Sequence, residues 1–239
     1  MKRNTFIILI SLAFTGAGCF SSKVNSVALA QLFTPVPESS KKLDIPYYDK
    51  GHQFNGYPFV YWHLDKQKEK QLKLEQPETS SSDFIFRTWV TRQNGTYNQP
   101  HSLIEITRNE EQYNATIYFM KVNFVANTLS ETITDYKKVT VTPLKNSWQT
   151  VIDSLYILKA DSLPTDEQIP EYYRKGKAYN NNSATYSFEF ASKNLYRFYQ
   201  YNDLQRASQH FWQPKNVLAI LRLPDQEFNW AALEKEYFK

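Results

Sequence analysis

The sequence predicts an α+β fold, with an antiparallel sheet and helices packed on one face of it. Two observations lead to this prediction. Between residues 84 and 144, apolar and polar side chains alternate in several short runs, which is the period of β-strands. From residue 148 apolar residues recur every three or four positions, as in a helix, and a further strand pair and two helical segments follow. Strands grouped before helices are typical of the α+β class.

The predicted domain begins with an aromatic segment followed by a charged one. Residues 57–62 (YPFVYW) have the length and composition of a strand. Residues 65–75 are highly charged, and their pattern leaves two alternatives open, a solvated helix or an arm of a hairpin. The polar run at residues 78–83 then marks a break before the sheet.

Four strands and a helix come next. Tyr113, Ala115, Ile117 and Phe119 illustrate the strand pattern, because alternate residues of a strand share one face. The predicted strands cover residues 84–90, 102–108, 112–122 and 137–144. The helix has Asn146 or Ser147 as its N-cap, and its apolar stripe comprises Trp148, Val151, Ile152, Leu155 and Leu158.

The remaining elements follow a long polar connection at residues 162–184, which is predicted to be either functional or disordered. A hairpin is predicted from residues 186–191 and 195–199. Pro214 is expected to open a helix, where its missing N–H costs nothing, and Val217, Leu218 and Leu221 are expected to face inward. Asp225 is expected to cap a last helix.

The N-terminal residues have the features of an export signal. Lys2 and Arg3 precede an apolar run that is too short to span a bilayer as a helix. The next residues, Gly16-Ala17-Gly18-Cys19, resemble the lipobox of bacterial lipoproteins. The resemblance implies that Cys19 is acylated and that residues 1–18 are removed. The alternative is cleavage after Ala28-Leu29-Ala30, which would release a periplasmic or secreted chain.

Composition defines the expected organisation and location. Residues 19–45 are predicted to be the lipidated Cys19 and a Ser- and Pro-rich tether that folding does not require, and residues 46–239 a single α+β domain. Removal of Lys2 and Arg3 with the signal takes the formal net charge from +4 to +2. So small a charge argues against nucleic acid as a partner. The expected location is the cell envelope, with the chain held at the outer membrane through its lipid anchor.

The sequence contains no motif that identifies a catalytic or metal site. No metal or cofactor is predicted, because no i, i+4 pair of the kind that binds zinc occurs among His52, His63, His101 and His210. Glu105 and Glu189 lie in strand patterns and could serve a glycosidase, which needs two acidic groups. The alternative is that both side chains point outward from the polar face of the sheet.

Two tryptophans are assigned opposite roles. Trp148 opens the helix with the clearest apolar stripe and is predicted to lie in the core. Trp89 lies beside Arg87 in a strand, on the face opposite Phe84 and Phe86. If that second face is open, Arg87 and Trp89 form a ligand-binding surface, and replacing Trp89 should cost less stability than replacing Trp148.

Five short motifs are spread over residues 84–223. They are Arg87-Thr88-Trp89, Trp148, Tyr186-Ser187-Phe188-Glu189, Tyr196-Arg197-Phe198-Tyr199 and Trp212-Gln213-Pro214-Lys215. Together they resemble a group of uncharacterised exported proteins of the Bacteroidota, and no activity follows from that resemblance. We therefore expect an envelope lipoprotein with a non-catalytic binding or scaffolding domain, whose partner is a carbohydrate or an envelope protein. The alternative is an exported hydrolase acting on carbohydrate or envelope polymer.

Overall fold

The structure, a computed structural model, describes residues 38–45, 57–92, 97–125, 130–172 and 184–239. A seven-stranded sheet runs through these residues in the order β1-β7-β6-β2-β3-β4-β5. Only the β1–β7 pair is parallel, so the predicted α+β class with an antiparallel sheet is confirmed. The strands are β1 (Lys42–Asp44), β2 (Phe84–Arg92), β3 (Gln99–Asn109), β4 (Gln112–Val125), β5 (Ser130–Val141), β6 (Ala184–Ser192) and β7 (Leu195–Tyr201).

The described helices include the predicted one at Trp148. There the hydroxyl of Ser147 accepts a hydrogen bond from the backbone N–H of Thr150, as expected of an N-cap. The N-cap of the last helix is Asn229 and not the predicted Asp225, which lies within the preceding helix, although its carboxylate accepts from the backbone N–H of Ala231 in the last one. The helices are α1 (Tyr57–Leu72), α2 (Trp148–Ile157), α3 (Leu204–Ala207), α4 (Trp212–Phe228) and α5 (Trp230–Tyr237).

The larger apolar core lies between one face of the sheet and helices α2 to α5. Phe86, Ile104 and Ile117 project from the sheet into this core, and the predicted stripe of α2 contributes Val151, Ile152 and Leu155. Trp148 is half-buried at the edge of the core, where its ring stacks on Tyr113 at 5.9 Å. The predicted stripe of α2 is therefore confirmed, although Trp148 itself is less buried than expected.

The opposite face of the sheet is covered by α1. Trp62 of this helix donates its indole N–H to the hydroxyl of Tyr196 on β7 at 2.9 Å. Leu72 at the other end packs with Trp89 and Leu103 of the sheet. The expectation of helices on one face alone therefore does not hold for α1. The physical reason is that both sheet faces carry large apolar side chains, which must be removed from water.

The N-terminal half of α1 corrects the strand predicted at residues 57–62. Aromatic composition favours a strand, but Pro58 is tolerated in the first turn of a helix. Two ion pairs with i, i+3 spacing follow, Lys66 with Glu69 and Asp65 with Lys68. Such pairs meet only on a helix, so the charged stretch, and not the aromatic run, indicates the secondary structure.

The predicted boundary between tether and domain lies too late in the sequence. Residues 42–44 form β1, and Ile45 is buried with Trp62 against β7. Lys41 is also buried, and its ammonium group donates to the carbonyl oxygen of Pro77 at 3.0 Å. The folded domain therefore includes residues 41–45. The signal, Cys19 and residues 173–183 of the long connection lie outside the described residues.

Candidate functional site

The most unusual feature of the molecule is the charged inner surface of α1. Asp65, Lys66, Lys68 and Glu69 are all buried between this helix and the sheet. Buried charges are costly unless they are paired, so each of them must find partners on the sheet. The sequence-based alternative of a solvated charged helix is wrong in this respect, because the charges point inward.

Lys66 lies at the centre of the larger group of buried charges. Its ammonium group donates to Glu69 at 2.9 and 3.1 Å, to Glu78 at 2.9 Å and to Glu189 of β6 at 2.5 Å. Burial acts to lower the pKa of Lys66, but the three carboxylates outweigh it and raise the pKa above its ordinary value. Lys66 therefore stays charged.

Arg87 of β2 is the second cation of this group and makes three hydrogen bonds. Its guanidinium donates to Glu105 at 2.6 Å, to Glu69 at 2.7 Å and to the backbone carbonyl of Glu75 at 2.7 Å. The position matches the sequence-based candidate, but the side chain is 0% exposed. We call the six charged residues the Lys66–Arg87 cluster; they are Lys66, Glu69, Glu78, Arg87, Glu105 and Glu189.

Glu189 is the best-satisfied carboxylate of the cluster. Besides Lys66, it accepts from the hydroxyl of Tyr196 at 2.7 Å and from the indole N–H of Trp89 at 3.1 Å. Burial acts to raise the pKa of Glu189, but Lys66 and Arg87 reverse this and hold it well below its usual range. Glu189 is therefore the ionised partner in the cluster.

Glu69 has the opposite behaviour. Burial, followed by repulsion from Glu189, raises its pKa well above the ordinary value. The cluster holds two cations against four carboxylates, and this excess of negative charge agrees with the raised pKa of Glu69. Two carboxyl groups whose pKa values are shifted apart are also the pairing that acid–base catalysis uses.

A smaller group lies further along α1. Lys68 lies 2.9 Å from both Asp65 and Glu131 of β5, and we call these three residues the Lys68 cluster. Burial raises the pKa of Asp65 to about 7, although Lys68 acts to lower it. Nearby, burial lowers the pKa of His101 to about 3, so its imidazole is neutral. The charge of Asp65 therefore changes near neutral pH.

Three carboxylates of the larger cluster could bind a divalent cation. Oxygen atoms of Glu69, Glu78 and Glu189 lie within 4.8 Å of one another. The ammonium group of Lys66 is bound to all three of them, so a cation belonging to the chain itself occupies this position.

The structure corrects several expectations about individual site residues. Arg87 and Trp89 do not form an exposed surface, because both are fully buried beneath α1. The ammonium group of Lys68 also covers the Trp89 ring, since it lies 5.1 Å from the ring centre. Glu105 and Glu189 face the same helix, and Glu189 does not point into water. Among the described residues, no helix has the length and apolar character needed to cross a bilayer.

The partners from α1 were missed because neither alternative for residues 65–75, a solvated helix or an arm of a hairpin, places their charges against the sheet. One signal could have found them: the i, i+3 spacing of Asp65 with Lys68 and of Lys66 with Glu69 indicates a helix with two ion pairs on one side.

Comparison of the chain with protein-family models, with curated proteins and with solved structures found no match.

Proposed function

We propose that the chain is an envelope lipoprotein, anchored through Cys19, whose α+β domain binds or scaffolds a partner without catalysing a reaction. The observation that carries this proposal is the state of Glu189, the acid best placed for catalysis. It is 0% exposed, and its oxygens accept from Lys66, Tyr196 and Trp89 of the same chain. A catalytic carboxylate must reach its substrate, whereas this one is fully engaged in holding α1 on the sheet.

The binding role is supported by an exposed patch where α2 and α4 meet. Asn216 of α4 donates to the carbonyl oxygen of Leu158 at 3.1 Å, and the ammonium group of Lys159 lies 4.7 Å from the ring centre of Trp212. The patch consists of Tyr156, Ile157 and Trp212, which are 45%, 76% and 48% exposed. Aromatic side chains of this kind stack on sugar rings and anchor protein contacts.

Retention on polysaccharide tests the carbohydrate form of this proposal. The chain should be retarded in native gels that contain soluble peptidoglycan fragments or neutral polysaccharides, and Trp212→Ala should remove the retardation. Tyr97→Ala is the matched control, because Tyr97 is 76% exposed outside the patch. Equal retardation of the two variants would contradict a role for the patch, and no retardation on any polysaccharide would leave an envelope protein as the proposed partner.

The anchor is tested separately. Cells supplied with a fatty-acid analogue should label the natural chain, and Cys19→Ala should not be labelled, because Cys19 is the only cysteine of the chain. Two or three acyl chains would hold the protein stably at the membrane. Equal labelling of both proteins would contradict the lipoprotein assignment.

An exported hydrolase is the second candidate. It is favoured by the opposite pKa shifts of Glu69 and Glu189, because two neighbouring carboxyl groups with a raised and a lowered pKa are the pair from which a general acid and a base are drawn. Glu69→Gln distinguishes the two functions, because the amide mimics the protonated acid but cannot donate its proton. Release of reducing ends from peptidoglycan that is lost in Glu69→Gln would favour the hydrolase. No release by the natural chain would favour the non-catalytic domain.

A further inference from the structure

The outer edge of β5 is a free strand edge among the described residues. β5 is the last strand of the sheet and pairs only with β4 there. It has 12 residues, and residues 134–138 are all exposed. A strand edge of this length presents backbone N–H and C=O groups on which another strand can pair.

The first part of this edge is shielded by α1. The side chain of Gln71 donates to the carbonyl oxygen of Glu131 at 2.9 Å and accepts from the N–H of Ile133 at 2.8 Å. Gln67 accepts from the N–H of Glu131 at 3.0 Å. These two glutamines bond to β5 as a neighbouring strand would, so the open part of the edge begins after Ile133.

In the open part of the edge, the backbone N–H groups of Tyr136 and Lys138 point outward, away from β4. In a strand, the direction of the side chain and the direction of the N–H group alternate together. Tyr136 lies opposite Met120 on the α1 side of the sheet, and the ammonium group of Lys138 lies 5.6 Å from the ring centre of Tyr118 on that side. Glu131 and Ile133 face the α1 side, and their N–H groups point away from β4. Tyr136 and Lys138 face the same side, so their N–H groups also point away from β4.

We propose that this edge binds a second copy of the chain, antiparallel, about a two-fold axis through Tyr136. In this register Asp135 lies opposite Lys137 of the second copy, and Lys137 opposite its Asp135. Thr134, the bulge residue without a partner on β4, lies opposite Lys138 of the second copy at the end of the paired segment. An axis at Asp135 would place two aspartates together, and an axis at Lys137 or Lys138 would place two lysines together. Directly opposed like charges destabilise a sheet, so among the axes at residues 135–138 the charges select the one at Tyr136.

The charges that surround the axis continue the pattern. Asp135 lies 3.7 Å from Lys121, and Lys137 lies 3.2 Å from Glu236 of α5, all of them at the surface. Pairing would therefore join Lys121, Asp135, Lys137 and Glu236 into a row of alternating charge across the two copies. Lysines on an edge strand usually oppose pairing. Here the lysines disfavour pairing with unrelated strands and in other registers. They are compatible with the self-complementary register, in which each Lys137 lies opposite an Asp135.

The shield formed by α1 limits the length of the contact. Beyond Lys138, residue 139 would lie opposite Ile133 of the second copy, whose N–H is bound to Gln71. At most five residues of each copy therefore contact one another, which buries less than the roughly 1,200 Å² of a stable interface and makes a weak dimer. If the lipid anchor proposed above is present, it raises the local concentration of the two copies.

Charge exchange tests the proposal on the full chain. Sedimentation should give a dimer for the natural chain at about 100 µM, a concentration suited to a small interface. Asp135→Lys and Lys137→Asp should each weaken the dimer at least tenfold, because each opposes like charges twice. The double variant should dimerise again. An equimolar mixture of the two single variants should form a heterodimer, because their edges are complementary.

Two results would overturn the proposal: a monomeric natural chain at this concentration, or single variants that dimerise as well as the natural chain. The second result would also reveal association through the acyl chains, since these are identical in all four proteins. An independent readout is disulfide formation in intact cells. Tyr136→Cys should cross-link to itself at the axis, whereas Thr140→Cys should not, because it would lie opposite Thr132. Equal cross-linking of both, or none by Tyr136→Cys, would contradict the register.

Discussion

Glu69 and Glu189 lie side by side beneath α1, yet their surroundings shift their pKa values in opposite directions. Glu189 accepts from two neutral donors, Tyr196 and Trp89, in addition to the ammonium group of Lys66. Glu69 shares the cations Lys66 and Arg87 with Glu189. Burial and the negative charge of Glu189 raise the pKa of Glu69. Within one pair, the pKa of Glu189 is therefore lowered and that of Glu69 is raised.

This difference predicts unequal costs for two matched substitutions. Glu189→Gln leaves Lys66 and Arg87 without their shared anion, so it should lower the free energy of unfolding by about 3–5 kcal/mol at pH 7. Glu69→Gln should change it little or raise it, because the raised pKa of Glu69 disfavours its ionised form in the folded chain and the neutral amide removes that cost. Urea unfolding at pH 7 measures both. A larger loss for Glu69→Gln would show that Glu69, and not Glu189, is the anion on which Lys66 and Arg87 depend.

Asp65 should make stability depend on pH in the neutral range. Its pKa rises from 3.8 to about 7 on folding, so the folded state binds more protons between these values. The contribution of Asp65 is full below pH 3.8 and is lost as the pH rises toward 7, by about 1.4 kcal/mol for each pH unit. Asp65→Asn cannot titrate, so its stability relative to the natural chain should increase from pH 5 to pH 7.

Urea unfolding at pH 5, 6, 7 and 8 checks this prediction, with the difference between Asp65→Asn and the natural chain plotted against pH. The comparison removes the effect of His101, whose lowered pKa acts in the opposite direction and is common to both proteins. Asp153→Asn, at an exposed position of α2, is the control. A difference for Asp65→Asn that does not change with pH would show that Asp65 is already ionised in the folded chain.

At the scale of elements, the two faces of the sheet are covered by different chemistry. Helices α2 and α4 pack through apolar side chains, whereas α1 packs through ion pairs, with Trp62 and Leu72 as apolar contacts toward its two ends. Removing α1 from the sheet would return its charges to water. Its attachment therefore depends on the pairing being complete, because a single unpaired buried charge is destabilising.

The burial of the two tryptophans reverses the order of stability costs that the sequence predicts for replacing them. Trp89 is 0% exposed beneath α1, whereas Trp148 is half-buried at the start of α2. Trp89→Ala should therefore cost about 3–5 kcal/mol, as large core truncations do, and also leaves Glu189 without one donor. Trp148→Ala should cost clearly less. Urea unfolding of both variants is the measurement, and a larger loss for Trp148→Ala would mean that α1 does not cover Trp89 in solution.

For the whole molecule, the position of β1 determines how much of the chain the domain needs. Ile45 is buried against β7, and Lys41 bonds to Pro77 in the turn after α1. A variant that begins at residue 38 should therefore unfold at nearly the temperature of the full chain. A variant that begins at residue 46 should unfold several degrees lower, because it lacks β1. Calorimetry measures the unfolding temperatures of both variants. Equal temperatures would show that residues 41–45 belong to the tether and not to the folded domain.

Much of the sheet could be predicted from the sequence because its strands alternate. The strands at residues 84–90, 102–108 and 112–122 agree with β2, β3 and β4 apart from their ends, and Ser147 is the N-cap of α2 as expected. The last predicted strand begins too late, since β5 starts at Ser130 and contains a bulge beside Lys121. A bulge breaks the period of two that the prediction relied on.

The sequence by itself determined the α+β class, most strand positions and the amphipathic α2, because these depend on side-chain periods within single segments. The predicted export signal and the lipobox-like sequence at Cys19 are local patterns of the same kind. Only the tertiary structure decided where α1 lies and what its charges do. Lys66 and Glu189 are 123 positions apart in the chain, and their contact arises from the arrangement of strands in the sheet. A charged segment looks the same in a sequence whether its partners are water molecules or residues of distant strands, and its burial is a property of the assembled fold.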